Sequence, residues 1–424
     1  MHIKKDLAEL VDASVISQET ADNIQNYYTQ KEDPPQNKLF VIFAILGALL
    51  VGLGIILIIA HNWDELSTFT KTILAFVPLV FSQMACGYAL IKKSNDTSWR
   101  ESSATLLVLS IGASIALISQ IYNIPGNISD FLLTWLLLSL PVVYLLQSSF
   151  TSLLYLTGVT VYAAYSNYWT YPHAESYWFW LLLLAILPYY YSIFQRNKRS
   201  HVVLIHHWFV AVALIICLGT AVDQNEGLIA LAYMNLFCVF TLSGHMINLQ
   251  SQSQKSNGYI SIGQTLSLLL LLASTFHDFW QSIIRNNKTP STSFGPEFIA
   301  VCLTGLLATG LLLLKKIKFR EDPIKPLETV FLYFTVIYIF SFVFPSVAAF
   351  TNILFLLLCI LIIREGIKKE HLGITNLGLL MITALVACRF FDTDLQFAVR
   401  GALFLFVGIG FFVTNFIMIK KRNG

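Results

Sequence analysis

Residues 47–64, GALLVGLGIILIIAHNWD, decide the fold, because an apolar helical run rich in glycine leads without a break into His-Asn-Trp-Asp. The apolar run extends from Leu39 to Ala60. At about 1.5 Å per residue this run is long enough to cross a hydrocarbon core of about 30 Å. The polar cluster is therefore expected at a membrane surface, and much of the remaining chain repeats the same pattern.

The composition is typical of a membrane protein. Of the 424 residues, 56% are hydrophobic and 12% are charged, whereas a soluble domain has roughly 25% charged residues. The net charge of +3 and the position of the basic residues in loops do not indicate a nucleic-acid partner. The six cysteines lie singly in apolar runs. We therefore predict no disulfide, no metal site and no cofactor.

Three segments are predicted along the chain. Residues 1–37 form a short cytoplasmic hairpin of two amphipathic helices and a linker, with Ser17 as the N-cap of the second helix. Residues 38–419 form the transmembrane domain, and residues 420–424 form a basic cytoplasmic tail. Because the polar start is followed by an apolar run too long for a signal peptide, the first span is expected to be an uncleaved anchor.

About fourteen transmembrane helices are predicted. They lie near 39–60, 70–91, 102–121, 130–147, 150–168, 176–195, 202–222, 226–247, 259–280, 296–314, 327–344, 346–363, 371–391 and 395–419. Nearly all of the 27 Lys and Arg residues then fall in cytoplasmic segments, as the positive-inside rule requires. The exceptions are Lys71, Arg285 and Lys288 outside, and Arg389 and Arg400 within spans. The sequence thus predicts an all-α polytopic membrane protein with both termini cytoplasmic.

Polar residues at the outer ends of the spans form the candidate site. Charged groups at membrane depth are costly and usually paired, often for function. We therefore predict a polar pocket that opens to the outer face near the ends of the first, third and last two spans. Its residues are Asn62, Trp63, Asp64, Gln120, Tyr122, Arg389, Asp392, Asp394 and Arg400. His277-Asp278 ends the ninth span on the same side. The alternative is an ion-pair cluster that only joins helix ends.

Three functions agree with this pattern. The leading hypothesis is a transporter or permease whose pocket binds a small polar or anionic solute through Arg389, Arg400 and Gln120. Asp64 and Asp392 would then act as counter-charges or proton carriers. The second hypothesis is a non-catalytic scaffold or sensor in which residues 1–37 bind a cytoplasmic protein partner.

The third hypothesis is a membrane-embedded enzyme that acts on lipid-linked envelope substrates. No Gly-x-Ser-x-Gly, His-Glu-x-x-His, Walker or dinucleotide motif occurs in the sequence. The longest predicted external loop, at about 281–295, is short for an enzyme of this class. An enzyme is therefore not favoured, and no catalytic residue is predicted.

Two stretches carry a family resemblance. Residues 7–28, LAELVDASVISQETADNIQNYY, and then GALLVGLGIILIIAHNWDEL resemble the bacterial predicted-membrane-protein family named domain of unknown function 2157. The matching positions are Ala60, Asn62, Trp63 and Asp64 of an Ala-x-Asn-Trp-Asp motif, and Ser119, Gln120, Ile121 and Tyr122 of a Gly/Ser-Gln-Ile-Tyr motif. His61 departs from the small residue expected there.

The defining domain of that family covers about the first third of the chain, and the remainder resembles the spans that often accompany it. The resemblance implies a multi-pass protein of the bacterial inner membrane, surrounded by lipid. It leaves the function open, because the family is itself uncharacterised.

Overall fold

The computed structural model describes residues 7, 10–11, 13–31, 63–169, 177–198, 200–222, 226–251, 257–286, 295–344, 347–369 and 371–392, with single positions from 402 to 416. These residues are helical or lie in turns, and they contain no strand. The chain divides into two compact units, Met1–Leu74 and Ala75–Gly424. The predicted segment boundaries at 37 and 419 lie outside the described residues.

The N-terminal unit contains helix α1, Gln18–Lys31. The Ser17 hydroxyl accepts a hydrogen bond from the Thr20 backbone N–H at 3.2 Å, so the predicted N-cap is confirmed. Leu7 and Ala21 are buried. Within the described part of residues 1–37, the sequence pattern therefore matches the helix that forms.

The second helix begins in the N-terminal unit, and the others belong to the larger one. They are α2 (Thr68–Lys92), α3 (Thr97–Ile121), α4 (Ile128–Leu146), α5 (Ser149–Ala164), α6 (Trp178–Arg196), α7 (His201–Gly219), α8 (Glu226–Ser251), α9 (Gly258–Ala273), α10 (His277–Asn286), α11 (Pro296–Lys318), α12 (Val330–Phe340), α13 (Val347–Lys368) and α14 (Leu372–Asp392). A π-helical turn, Tyr165–Trp169, continues α5, and a 3-10 turn, Pro326–Glu328, precedes α12. The described parts of the predicted spans are mainly helical, but span 259–280 is broken after Ala273 and the helix in span 327–344 ends at Phe340. Spans 39–60 and 395–419 lie wholly or mostly outside the described residues.

Short polar residues fix where several of these helices begin. Each accepts a hydrogen bond from a backbone N–H of the first turn, which would otherwise have no partner. The capping residues are Asp96 of α3, Asn127 of α4, Ser148 of α5, Ser200 of α7 and Asn257 of α9. The helix starts are therefore encoded locally, in the polar breaks between apolar runs.

Nine described helices are long and apolar enough to cross a membrane: α2, α3, α4, α6, α7, α8, α11, α13 and α14. Helices α9 and α10 pass the same criterion only as a pair, with an 83° bend at their break, and would make a tenth crossing. Helix α12 is apolar but has only 11 residues. The protein is thus a multi-pass membrane protein in a lipid bilayer. The count of fourteen and the cytoplasmic termini stay predictions.

Helix α8 is the central helix of the larger unit. In its membrane-crossing segment 72% of the residues are buried, against 22–44% in the other eight crossing helices. It packs mainly against α9 and α11. The approach to α9 is close, because a Cβ on Gly263 would lie 2.5 Å from the Phe237 carbonyl oxygen. Glycine at position 263 therefore permits the close contact between α8 and α9.

Candidate functional site

A cleft of about 870 Å³ lies between α2, α3 and α4. It follows α3 from Leu107 to Ser119, a distance of about 18 Å at about 1.5 Å per residue. Apolar side chains form most of its walls. Polar groups of Ser119, Asn127 and Asp130 lie at the end where α3 connects to α4. The cleft therefore has a polar mouth and an apolar body.

The connection between α3 and α4 is a tight turn that fixes this mouth. The Ile124 N–H donates to the Ser119 carbonyl at 2.9 Å, and the Ser119 hydroxyl donates to the Ile124 carbonyl at 3.1 Å. Asn123 has a positive φ of 51°, which asparagine tolerates better than most residues. The Asn127 side chain accepts from the Asp130 N–H at 2.7 Å. Hydrogen bonds thus fix the backbone at both sides of the mouth, in the turn after α3 and at the start of α4.

Hydrogen bonds between helices fix the walls of the cleft. The Ser114 hydroxyl of α3 donates to the Ala75 carbonyl of α2 at 2.7 Å, and this bond is buried. On the other side, the Trp135 indole N–H of α4 donates to the Val108 carbonyl of α3 at 2.7 Å. Each bond satisfies a side chain that has no water partner in an apolar setting. The spacing of α2 and α4 around α3 is therefore set by specific contacts.

Gln120 and Tyr122 lie at the mouth end of α3, where both side chains are exposed. Neither lines the cleft, whose polar residues there are Ser119, Asn127 and Asp130. The predicted pocket included Gln120 and Tyr122 but not Ser119, Asn127 or Asp130, although Ser119 belongs to the family motif. The capping signal Asn-x-x-Asp at the start of α4 could have indicated Asn127 and Asp130.

Arg389 lies in a different part of the larger unit, beside the break between α9 and α10. Its guanidinium carbon is 4.6 Å from the centroid of the Phe276 ring, and Nη2 is 3.5 Å from Thr275 Oγ1. The Asn352 amide of α13 donates to the Thr275 carbonyl at 3.0 Å. The Trp280 indole donates to the Ser274 carbonyl at 2.6 Å. Backbone groups released by the break are thus bonded by side chains of α10 and α13.

The predicted pocket residues therefore divide into separate groups. Gln120 and Tyr122 belong to α3, which packs against α4 and α5, whereas Arg389 belongs to α14, which packs against α13. Asp392 is the last residue of α14, and its side chain is outside the described part. Asn62, Asp394 and Arg400 also lie outside it.

The two remaining pocket residues belong to the N-terminal unit. Trp63 and Asp64 form a 3-10 turn with Glu65. The Lys71 ammonium lies 5.6 Å from the centroid of the Trp63 ring, within range of a cation–π contact.

The cleft lies in the part of the chain that matches a known protein family. Residues 8–152 match the family described as predicted membrane protein, DUF2157. The predicted resemblance is therefore confirmed over this segment, which includes α1 to α4 and every residue that lines the cleft. The DUF2157 match does not extend to α6–α14. No curated protein and no solved structure matches the chain.

A second polar site, which we call the Glu328 cluster, lies outside the DUF2157 segment and consists of His245, Lys315, Asp322 and Glu328. The Lys315 ammonium is 2.7 and 2.8 Å from the two Glu328 carboxylate oxygens and 2.8 Å from Asp322 Oδ2. His245 Nδ1 is 2.6 Å from Glu328 Oε1. The Lys325 backbone N–H donates to Glu328 Oε2 at 2.9 Å. The cluster therefore joins α8, α11 and the chain between α11 and α12.

Burial and hydrogen bonding act in opposite directions on the carboxyl group of Glu328. Burial raises its pKa, but hydrogen bonds from His245, Lys315 and the Lys325 N–H outweigh burial and lower the pKa to about 2. Glu328 is therefore an anion at neutral pH, although its side chain has no exposed surface.

Sequence reasoning did not identify the Glu328 cluster. Lys315 and Glu328 are 13 residues apart, and His245 and Glu328 are 83 apart. No local pattern indicates such pairings.

The described residues do not suggest a metal centre. Among them, no group of three or more His, Cys, Asp or Glu side chains is arranged to hold a metal ion.

Proposed function

We propose that the protein is a transporter or permease-like protein of the bacterial inner membrane and that the cleft between α2, α3 and α4 binds its solute. The observation that carries the proposal is the cleft itself. Its volume of about 870 Å³ lies within the roughly 300–1,000 Å³ typical of small-molecule sites. A scaffold that only joined helix ends would not need a cleft of this depth.

The lining favours a polar or cationic solute. The mouth presents a hydroxyl, an amide and a carboxylate, from Ser119, Asn127 and Asp130. No Lys or Arg is among the described residues that line the cleft. The cleft therefore supports a cation or a neutral hydrogen-bonding group at Asp130, with the less polar part of the solute in the apolar body. It does not support the anionic solute expected from Arg389 and Arg400.

The break between α9 and α10 also supports transport. Secondary transporters often contain discontinuous helices whose unwound residues and neighbouring polar groups take part in binding or gating. Here the 83° bend is accompanied by Arg389 and Asn352 at Thr275. We propose that this break is a second functional element. Gln120 and Tyr122 would form the entrance to the cleft.

Uptake into proteoliposomes that contain the purified full chain tests the proposal. Labelled choline and putrescine serve as cationic probes, glycerol as a neutral probe and succinate as an anionic probe. We expect choline or putrescine to enter faster than into protein-free liposomes. Thr134→Trp fills the cleft and should abolish this uptake, and Asp130→Asn should reduce it at least several-fold.

Leu137→Trp is the matched control, because Leu137 is on the same helix but is 54% exposed and does not line the cleft. It should leave uptake unchanged. Equal uptake by the Thr134→Trp variant and the unmodified protein would contradict the proposed binding place. The absence of uptake for all four probes would contradict the proposed solute class.

A further inference from the structure

We propose that the Glu328 cluster is a proton-binding site, that His245 is the residue that takes up the proton, and that this proton is the coupling ion of transport. The coupling step rests on the proposed function above, whereas proton binding at His245 does not. The cluster is formed by residues of α8, of α11 and of the chain from α11 to Glu328, and none of them lines the cleft.

The hydrogen bonds define which nitrogen of His245 accepts the proton. An ionised carboxylate only accepts hydrogen bonds, so the contact of 2.6 Å between Nδ1 and Glu328 Oε1 requires a proton on Nδ1. In the neutral imidazole, Nε2 then holds the lone pair. The His245 side chain keeps 9% of its surface exposed, whereas Glu328 and Lys315 keep none. Nε2 of His245 is therefore the atom that accepts the proton.

Charge balance favours proton binding. With a neutral imidazole, the ammonium of Lys315 contacts the two carboxylates of Asp322 and Glu328, so these three side chains carry one net negative charge. Charges interact strongly where water is largely excluded. Protonation of His245 places a positive charge next to Glu328 and makes the four-residue cluster neutral. The net negative charge of Lys315, Asp322 and Glu328 thus favours a proton on His245, whereas the neighbouring Lys325 opposes it.

Other titratable groups face this end of α8 from the neighbouring elements. Lys325, in the chain between α11 and α12, opposes protonation of His245. Burial and the neighbouring Lys369 lower the pKa of Lys325. The titratable groups that face this end of α8 or lie next to it are Lys315 on α11, Asp322 and Lys325 in the connection, Glu328 in the 3-10 turn, Tyr259 on α9, His207 on α7, and Glu365 and Lys369 at the end of α13. Of these, only the carboxylates favour an imidazolium at position 245.

Proton binding changes how firmly α8 is held. The hydrogen bond from His245 to the ionised Glu328 is charge-assisted in both protonation states, and protonation adds the attraction between two opposite charges. The protonated His245 therefore ties α8 to the 3-10 turn at Glu328, and loss of the proton weakens this connection. Cys238, two turns earlier on α8, has its thiol 3.6 Å from the Leu327 carbonyl and is buried. It is a natural reporter of separation between α8 and this turn.

Solid-state 15N NMR of the full chain, labelled at histidine and embedded in lipid bilayers, tests proton binding directly. The chain has nine histidines, and the His245→Gln variant identifies the signal of His245. We expect the Nε2 signal to change from neutral to protonated imidazole as the pH is lowered from about 8 to about 4. Asp322→Asn, which removes one negative charge, should move the midpoint to lower pH. A His245 signal that stays neutral or stays charged across this range would overturn the proposal.

Alkylation of Cys238 by a membrane-permeant maleimide, followed by peptide mapping, tests the structural consequence. Thiolate formation itself raises the rate as the pH rises, so the rate is compared with that of the His245→Gln variant at each pH. We expect labelling of the unmodified protein to increase more steeply with pH than labelling of the variant. Equal pH dependence in the two proteins would show that the proton on His245 does not control this contact.

The coupling step needs a measurement of its own. An inward proton gradient should accelerate or drive uptake in proteoliposomes by the unmodified protein but not by His245→Gln. Uptake without gradient dependence would refute coupling and leave the proposed transport intact. A titrating His245 in a protein that transports none of the four probes would refute the proposed solute class and leave the proton site intact.

Discussion

The Lys315 ammonium lies 2.7 and 2.8 Å from the two carboxylate oxygens of Glu328, and neither side chain has exposed surface. Removal of one partner of a buried pair leaves the other charge without compensation, which typically costs about 3–5 kcal/mol. We therefore expect Lys315→Met and Glu328→Gln each to lower the Tm of the detergent-solubilised protein strongly. The double variant should be more stable than either single variant.

Lys369→Met is the control for that pair. Lys369 forms an ion pair with Glu365 at 2.6 Å, but its side chain is 49% exposed. Exposed pairs contribute about 0–1 kcal/mol, so the Tm should hardly change. A double variant less stable than both single variants would contradict this account of the Glu328 cluster.

The depressed pKa of Glu328 predicts an acid limit to stability. A carboxyl group with a pKa near 2 in the folded state and near 4.5 in the unfolded state stabilises the fold fully above pH 4.5. This contribution is lost as the pH falls from 4.5 towards 2. Thermal unfolding measured between pH 6 and pH 3 should show a steeper loss of Tm in the unmodified protein than in the Lys315→Met/Glu328→Gln double variant. Parallel curves would exclude Glu328 as a source of the acid sensitivity.

Close packing of α13 on α14 predicts that Gly366→Ala destabilises the protein. An added Cβ would lie 2.6 Å from the Thr375 backbone nitrogen, and backbone cannot move away cheaply. Overpacking of this kind costs about 1–3 kcal/mol. Gly310→Ala is the matched control, since nothing lies within 4 Å of the added atom. Gly310→Ala should be neutral or slightly stabilising, because alanine is a better helix former than glycine. Equal losses of Tm in Gly366→Ala and Gly310→Ala would contradict the predicted contact.

Glu101 of α3 caps the start of α5, and its removal should destabilise that helix. One carboxylate oxygen accepts from the Ser149 N–H at 2.8 Å, and the other accepts from the Phe150 N–H at 3.0 Å and from the Ser148 hydroxyl. Loss of a cap costs about 0.5–2 kcal/mol. Glu101→Ala should therefore lower the Tm, and Glu101→Gln, which keeps one acceptor oxygen, should lie between. Hydrogen exchange at the start of α5 should rise in the same order, and unchanged exchange in Glu101→Ala would rule out this role.

The positions of the helices could be predicted because their signals are local. Apolar runs longer than a membrane core, interrupted by short polar breaks, place α2–α4 correctly, and Asp96 and Asn127 cap helices at such breaks. Whether each helix crosses the membrane depends less on local sequence. The run that contains α9 and α10 was predicted as one span, but the chain bends by 83° after Ala273. At this bend Asn352 and Trp280 donate hydrogen bonds to backbone carbonyls, and the sequence does not reveal these contacts.

The candidate sites were harder to predict because they depend on which helices meet. The polar end of α3 is visible in the sequence, but Ser119, Asn127 and Asp130 line one cleft only because a tight turn joins α3 to α4. Lys315 looked like an ordinary cytoplasmic lysine, because positive charge at that end is expected of any such loop. Lys315 is buried because the chain after α11 turns back and places Asp322 and Glu328 next to its ammonium group.

The break after Ala273 also has a consequence for the surrounding lipid. Helix α9 has 16 residues, which span about 24 Å at about 1.5 Å per residue, several ångströms less than a hydrocarbon core of about 30 Å. Leu269 on this helix is 48% exposed, so part of α9 faces acyl chains. A bilayer adapts to a short hydrophobic segment by thinning beside it, at a modest cost for each ångström. We expect the membrane to be thinnest next to α9, and lipids with shorter acyl chains to be enriched there.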